Sequence, residues 1–394
     1  MILGAISYLD CAVFVLLLIP QLFIHISLLE LTRAGIDILP FFLFNLPFGL
    51  LNDRYWTPRL RQPPFVQHAT LFQDLVIRCV RYAFARLPSS IGRIFFSKAV
   101  ALPFMRWRML RHGILYSPVH WYEVKTGNTR GLWITGKDDS KIPDVVVYYI
   151  HGGGFAMGSA YFYLEPLIAL RDLLLSHYRN PAVFALEYEL VPDAAYPKQI
   201  DETIEGYEYV LKRLQGNAER VVVAGDSAGG TLTLSMLLQL AKSNTGRDLS
   251  KKPGYAALIS PWTNLVSEKH RNTASDYLND NSLHVYGSQY AGRKELIAEP
   301  LVSPGNCTSA SWWKDASPVH GLYITYGSEE VLGPDVKDLI KRWRKAEMSV
   351  TVNEEPGGIH AWVIARLFLE EGMDQRAKGM LGLVNAIRAN IKAK

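Results

Sequence analysis

The sequence predicts an α/β protein with a mostly parallel central sheet, and three observations predict it. From about Val119 onward, short runs of β-branched and aromatic residues alternate with longer helix-patterned stretches. Runs such as VVVYYI (145–150) and RVVVAG (220–225) are continuously apolar, as strands covered on both faces must be. Both of these runs end in glycine-rich segments, where a stiff chain becomes permissive enough for a sharp turn or a close approach.

In chain order, VHWYEV (119–124) and LWIT (132–135) read as a strand pair ahead of VVVYYI. A helical pattern at about 164–177 leads to the strand AVFALEY (182–188), and a second at 200–214 leads to RVVVAG. The helix GGTLTLSMLLQLAKS (229–243) follows, then the strands YAALIS (255–260), LYITY (322–326) and SVTVNE (349–354). Helices are expected at about 334–346 and 373–391. Two regions stand outside the alternation, the first ~115 residues and 264–300, and both suit a helical cap over the strand ends, where such sheets bind ligands. The expected division is an apolar membrane-associating segment at 1–51, a basic helical cap region at 52–115 and a catalytic domain at 116–394, with 264–300 as a second cap insertion.

Composition narrows the class. The 394 residues exceed one ordinary core, and 49% apolar with 20% charged residues leaves little room for long disorder. The three cysteines (Cys11, Cys79, Cys307) are odd in number and widely spaced, which argues against a disulfide framework and a zinc site. The net charge of +5 is uneven: residues 54–111 hold ten Arg and one Lys against Asp74 alone. Interleaved aromatics make this block resemble an amphipathic helical region, so an anionic lipid surface or a solvated cap face is expected rather than nucleic acid. Residues 2–19 are apolar apart from Ser7, Tyr8 and Asp10, and a second apolar run (38–51) is broken by Pro40 and Pro47. A spanning helix needs roughly 20 apolar residues, so anchoring or monotopic insertion is expected. The run has no preceding Lys or Arg and no A-x-A-like site after it, unlike a cleaved signal. Removing 1–51 is then expected to leave enzyme that is active on short esters.

The chemistry begins at GDSAG (225–229), a G-x-S-x-G between an apolar strand and an apolar helix. In that context it is a nucleophile elbow, lifting the Ser227 hydroxyl above the sheet. HGGGFAMGS (151–159) lacks both the G-x-G-x-x-G spacing of dinucleotide loops and the lysine of phosphate loops. With a serine nucleophile elsewhere, its amides suit an oxyanion hole. Gly152 and Gly153 are the expected loop donors and Ala228 the elbow donor, with His151 shaping the loop and Asp226 structural.

These motifs, with EYELVPDAAYPKQIDE (187–202) and SPWTNL (260–265), resemble the hormone-sensitive-lipase-like branch of the α/β-hydrolases over roughly residues 120–390. The apolar N-terminus makes the chain similar in character to membrane-bound fungal steryl-acetyl hydrolases and arylacetamide deacetylases. The resemblance implies a capped α/β-hydrolase fold that needs no cofactor and no metal, with triad members in the order Ser, acid, His. His360, in the Gly-rich EEPGGIHAWV, falls where the family places its histidine; His270, His284 and His320 are expected at the surface or in the cap. The acid departs from the family's D-P-L pattern. Glu330 in YGSEEVLGPD stands at the aspartate's place, with Glu329 and Asp335 as competitors.

The expected function is a serine carboxylic ester hydrolase that removes a short acyl group, by resemblance acetyl, from a lipophilic sterol, terpenoid or other secondary metabolite. Transfer or cyclisation through the same acyl-enzyme, amide cleavage, and a non-catalytic receptor role remain alternatives. The expected partners are the lipophilic ester and a membrane, that of the endoplasmic reticulum by resemblance. The charges after the apolar run favour a cytoplasmic domain, whereas the resemblance and the triplet NCT at Asn306 favour a lumenal one. Oligomeric state is left open.

Overall fold

A computed structural model describes residues 2–117, 119–136, 141–243 and 251–392. Eight strands form one sheet: β1 His120–Thr126, β2 Thr129–Thr135, β3 Val145–Ile150, β4 Pro181–Leu186, β5 Val221–Asp226, β6 Tyr255–Ile259, β7 Leu322–Gly327 and β8 Val350–Glu355. Their spatial order is β1-β2-β4-β3-β5-β6-β7-β8. The β1–β2 and β2–β4 pairs are antiparallel and the rest of the sheet is parallel. This is the predicted class and fold, with β5 near the centre.

Seven helices precede the sheet: α1 Tyr8–His25, α2 Leu28–Pro40, α3 Leu46–Leu51, α4 Pro64–His68, α5 Leu71–Arg86, α6 Ser89–Phe95 and α7 Lys98–Arg111. Within the sheet domain lie α8 Leu164–Leu174, α9 Lys198–Arg213, α10 Ser227–Ser243, α11 Asp280–Ala291, α12 Ala310–Ala316, α13 Gly333–Lys345, α14 Trp362–Leu369 and α15 Met373–Asn390.

The pleat sorts β3 between two cores. Val146, Tyr148 and Ile150 pack with α9, α10 and α13, whereas Val145, Val147 and Tyr149 pack with α8, α14 and α15. Successive side chains of a strand point to opposite faces. All six are buried, so the continuous apolar run is what a two-sided burial demands. Burying each such side chain contributes about 1.5–3 kcal/mol.

The N-terminal helices are joined to this body by more than apolar contact. Leu3 lies in the second core, and the Ile6 N–H donates to the Phe368 carbonyl at 2.8 Å. Asp10 of α1 is fully buried; it accepts from Trp107 Nε1 at 3.0 Å and meets Arg111 Nη2 at 2.9 Å. Arg108, also fully buried, grips Glu165 through two bonds of 2.9 and 2.7 Å and lies 3.7 Å from Asp10. The charge in the apolar run, costly in lipid, is thus neutralised against protein.

Much of the basic block is used internally. Arg54 pairs with Asp74 and Arg78 with both Asp53 and Asp74, Arg81 caps two carbonyls, and Arg93 reaches Asp193. Arg59, Arg61, Arg86 and Arg106 are exposed. Removing one partner of a buried pair strands the other. Arg108→Met, which leaves Glu165 buried without its guanidinium, is therefore expected to destabilise the fold by about 3–5 kcal/mol. Urea unfolding in detergent measures it, and a midpoint equal to wild type would show the cluster to be solvated.

Candidate active site

The residues singled out in the sequence meet at the C-terminal ends of the parallel strands. Ser227 begins α10 directly after β5, with φ +49°. A non-glycine residue in this region costs of order 1–3 kcal/mol, which the surrounding structure must offset. The turn closes so tightly that a Cβ on Gly229 would lie 2.0 Å from the Ile150 carbonyl oxygen. Only glycine fits there, which is why the elbow motif carries one. At its start α10 leaves the Ala228 N–H without an intrahelical acceptor.

After β3 the chain turns through Gly153 (φ +109°), where a Cβ would sit 2.0 Å from the Met157 carbonyl oxygen. One expected oxyanion donor is displaced. The Gly152 N–H donates to Asp226 Oδ1 at 2.9 Å, so it is not available to a ligand. The N–H groups of Gly153 and Gly154 carry no hydrogen bond among the described residues, and both glycines line the cavity with Ser227. The free loop amides beside Ser227 are thus those of Gly153 and Gly154, one residue on from the expected pair.

Asp226 is the post on which this loop hangs. Buried beside Ser227, it also accepts from Tyr149 OH at 2.8 Å and Tyr163 OH at 2.6 Å. His151 stacks on Tyr188, with ring centroids 4.4 Å apart, and its Nδ1 lies 2.7 Å from the Gly152 carbonyl oxygen. Burial pushes His151 down to about 4, so it is neutral at pH 7 and shapes the loop.

His360 follows β8, buried, with Nδ1 3.2 Å from Glu330 Oε2. Glu330 is itself buried in the β7–α13 loop. The competing acids point elsewhere. Glu329 is half-buried and accepts from Ser328 Oγ at 3.2 Å, while Asp335 lies 3.1 Å from His270 Nε2. His320 is exposed and His284 lies on α11.

Burial pushes the His360 imidazole below its ordinary value, and the carboxylates of Asp276 and Asp226 oppose that shift. Burial raises the Glu330 carboxyl, with the Ser260 hydroxyl and the Gly327 N–H pulling it back. Asp276 was not singled out by any sequence signal. It accepts the His360 N–H at 2.9 Å and the Val331 N–H at 2.8 Å. Among the described residues no cluster of His, Cys, Asp or Glu suits a metal ion.

Ser227 and His360 open into a cavity of about 410 Å³. Its walls are almost wholly apolar: Phe14 and Val15 from α1, Ile77 and Phe84 from α5, Phe104 from α7 and Tyr286 from α11. The N-terminal helices thus supply one side of the cavity, and α11 of the 264–300 insertion supplies another. With Ser227 beside free amides, and His360 beside the Glu330 carboxyl group in a mostly apolar cavity, the arrangement suits attack on a carbonyl carbon.

A family model described as alpha/beta hydrolase fold matches residues 147–364. An acetyl-hydrolase of Streptomyces hygroscopicus is 30% identical over 255 residues, covering 63% of this chain and 77% of the relative. Steryl acetyl hydrolase 1 of Saccharomyces cerevisiae is 29% identical over 223 residues, covering 52% of this chain and 49% of the relative. The chain thus spans about half the length of that protein. Among solved structures, an esterase from the bacterial hormone-sensitive lipase (HSL) family superposes with a TM-score of 0.63 at 20% identity, over 82% of this chain and 99% of that one. On its motifs, fold and relatives, the chain belongs to the alpha/beta hydrolase fold family.

Proposed function

We propose that the protein is a serine carboxylic ester hydrolase that removes a short acyl group, acetyl in the first instance, from a lipophilic alcohol. The observation that carries this reading is the apolar cavity above Ser227, walled by helices from the N-terminal region. His360 takes the Ser227 proton as Oγ attacks the ester carbonyl, and Glu330 stabilises the imidazolium. The oxyanion rests on the amides of Gly153, Gly154 and Ala228. The alcohol leaves with the proton from His360, and water, activated by the same imidazole, releases the acid. The acetyl-hydrolase and steryl acetyl hydrolase names of the relatives support the acyl group.

The test is incubation with a panel of acetylated sterols, terpenoids and aryl esters, with the products identified by mass. Release of the free alcohol from apolar acetates is expected. Turnover confined to small polar esters, or transfer of the acyl group to an added alcohol in preference to water, would contradict the reading.

The reading includes attachment to one leaflet of a membrane, that of the endoplasmic reticulum. The helix Tyr8–His25 and the helical stretch Leu28–Trp56, in which π-helical turns at Phe41–Asn45 and Asn52–Trp56 continue α2 and α3, are each long and apolar enough to cross a bilayer. Docking of Asp10 and Phe14 against α7 instead supports a monotopic arrangement, with α1 lying along the domain. Phe23, Leu43 and Phe44 are more than 60% exposed, an apolar face suited to the acyl boundary. Removing 1–51 altogether would also remove Asp10 from Arg111 and Phe14 from the cavity, so the intact chain carries the test. The triple substitution Phe23→Ser, Leu43→Ser and Phe44→Ser is expected to abolish sedimentation with phosphatidylcholine vesicles while kcat/KM on a water-soluble acetate stays unchanged. Undiminished vesicle binding would reject this face. Asn306 donates from Nδ2 to the Ile297 carbonyl and accepts from Asn264, so its amide is already engaged, which weighs against a glycan there.

A further inference from the structure

The connection between β6 and α11 passes a four-residue stretch, Thr273–Asp276, that touches both loops carrying the proposed base and acid. Thr273 Oγ1 donates to the Glu329 carbonyl at 2.7 Å and accepts the Asp276 N–H at 2.9 Å. Asp276 is fully buried. One of its carboxylate oxygens accepts the N–H of His360 at 2.9 Å and that of Tyr277 at 2.8 Å. The other accepts the N–H of Val331, the residue after Glu330, at 2.8 Å. One side chain thereby ties together loops that lie 55 and 84 residues further along the chain.

The same stretch is held from its far side by the N-terminal helices. Arg81 of α5 donates from Nε to the Asp276 carbonyl and from Nη2 to the Ala274 carbonyl, each at 2.7 Å. The N–H of Phe65 on α4 donates to Ser275 Oγ at 3.2 Å. A planar guanidinium spanning two carbonyls fixes both position and direction, which a lysine ammonium cannot do.

We infer that Asp276 is a positioning residue that aligns His360 with Glu330, and that Arg81 makes this alignment depend on the docked N-terminal helices. The inference rests on the roles proposed for His360 and Glu330. A purely structural staple could be built from neutral acceptors at lower desolvation cost. A carboxylate does something more: it places a negative charge beside an imidazole that must become cationic during acylation. The groups facing His360 are Glu330 from the β7–α13 loop, Asp226 and Ser227 from the elbow, and Asp276 with the Tyr277 ring, 5.7 Å away edge-on, from the connecting stretch. The Asp276 and Asp226 carboxylates both oppose the lowering of this imidazole by burial.

Two variants of the full-length protein test this on a water-soluble acetate. Asp276→Asn keeps an acceptor for the His360 N–H but removes the charge and turns a donor toward Val331. It is expected to lower kcat by roughly 10–100-fold with little change in KM, by analogy with the partners that orient metal-bound histidines. The sign of the pH effect is fixed. Without the carboxylate, His360 protonates at lower pH, so the acid limb of kcat/KM moves down. Arg81→Lys keeps charge but loses one carbonyl contact, and is expected to lower kcat and the rate of fluorophosphonate labelling together, with an unchanged melting temperature. Asp276→Asn with wild-type kcat, or with its acid limb unmoved, overturns the inference. Should that variant fail to fold, Arg81→Lys with wild-type kcat and labelling overturns it alone. In either case Ser227→Ala remaining inactive would leave the proposed hydrolase intact, so the two failures are distinguishable.

Discussion

Ser227→Ala is expected to lower kcat/KM for any ester the protein cleaves by roughly 10⁴–10⁶, the range seen when a serine nucleophile is removed from a triad. The substitution deletes one oxygen from a side chain that is about 5% exposed. Alanine accepts the positive φ of Ser227 no worse than serine does, since both carry a Cβ. Gly152, Tyr149 and Tyr163 hold Asp226 without help from the hydroxyl. The fold should therefore survive, with circular dichroism and melting temperature unchanged, while steady-state esterase assays fall to background. Retention of more than a trace of activity in purified protein would move the nucleophile elsewhere.

Glu330→Gln is expected to cost roughly 10³–10⁴ in kcat, because the amide keeps the shape but reverses the hydrogen bond. In the proposed triad Glu330 Oε2, 3.2 Å from His360 Nδ1, receives the proton of that nitrogen. A glutamine that presents its NH₂ there favours the other tautomer, with the proton on Nε2, which then cannot take the Ser227 proton. The charge that would balance the imidazolium is lost as well. Glu329→Gln serves as the control and is expected to change kcat little, since Glu329 is half-buried and bonded to Ser328. Steady-state kinetics of the two variants, side by side, separate the neighbours. The reverse ranking would shift the acid by one position.

The parts that were legible in the sequence are those in which one local rule dominates. VVVYYI and VVVAG announce buried strands because two-sided burial leaves no charged residue in them. GDSAG is readable because a strand-to-helix turn this tight excludes any Cβ at Gly229. Other features depend on groups distant in sequence. The diversion of the Gly152 N–H to Asp226 joins residues 74 positions apart, and no spacing within HGGG reveals it. Asp276 acts on backbone N–H groups, which have no residue signature, so its partners carry no motif. Hydropathy marked the N-terminal run as apolar but could not tell which side is exposed and which walls the cavity. Asp10 was the one hint, since a lone acid in such a run must find cations, and it finds Arg111 and Arg108. Likewise the Arg-rich block read as a surface charge because its partners Asp193, Glu165 and the 274–276 carbonyls lie far along the chain.

The most direct measurement of Ser227 as an activated nucleophile is peptide mass analysis after brief exposure to a fluorophosphonate, which phosphonylates a serine only when a neighbouring base activates it. A single adduct on the peptide containing Ser227 is expected. It should form rapidly in the wild type, slowly in Glu330→Gln, and not at all in Ser227→Ala. No adduct in folded wild-type protein, or an adduct on any other residue, would contradict the assignment of this site.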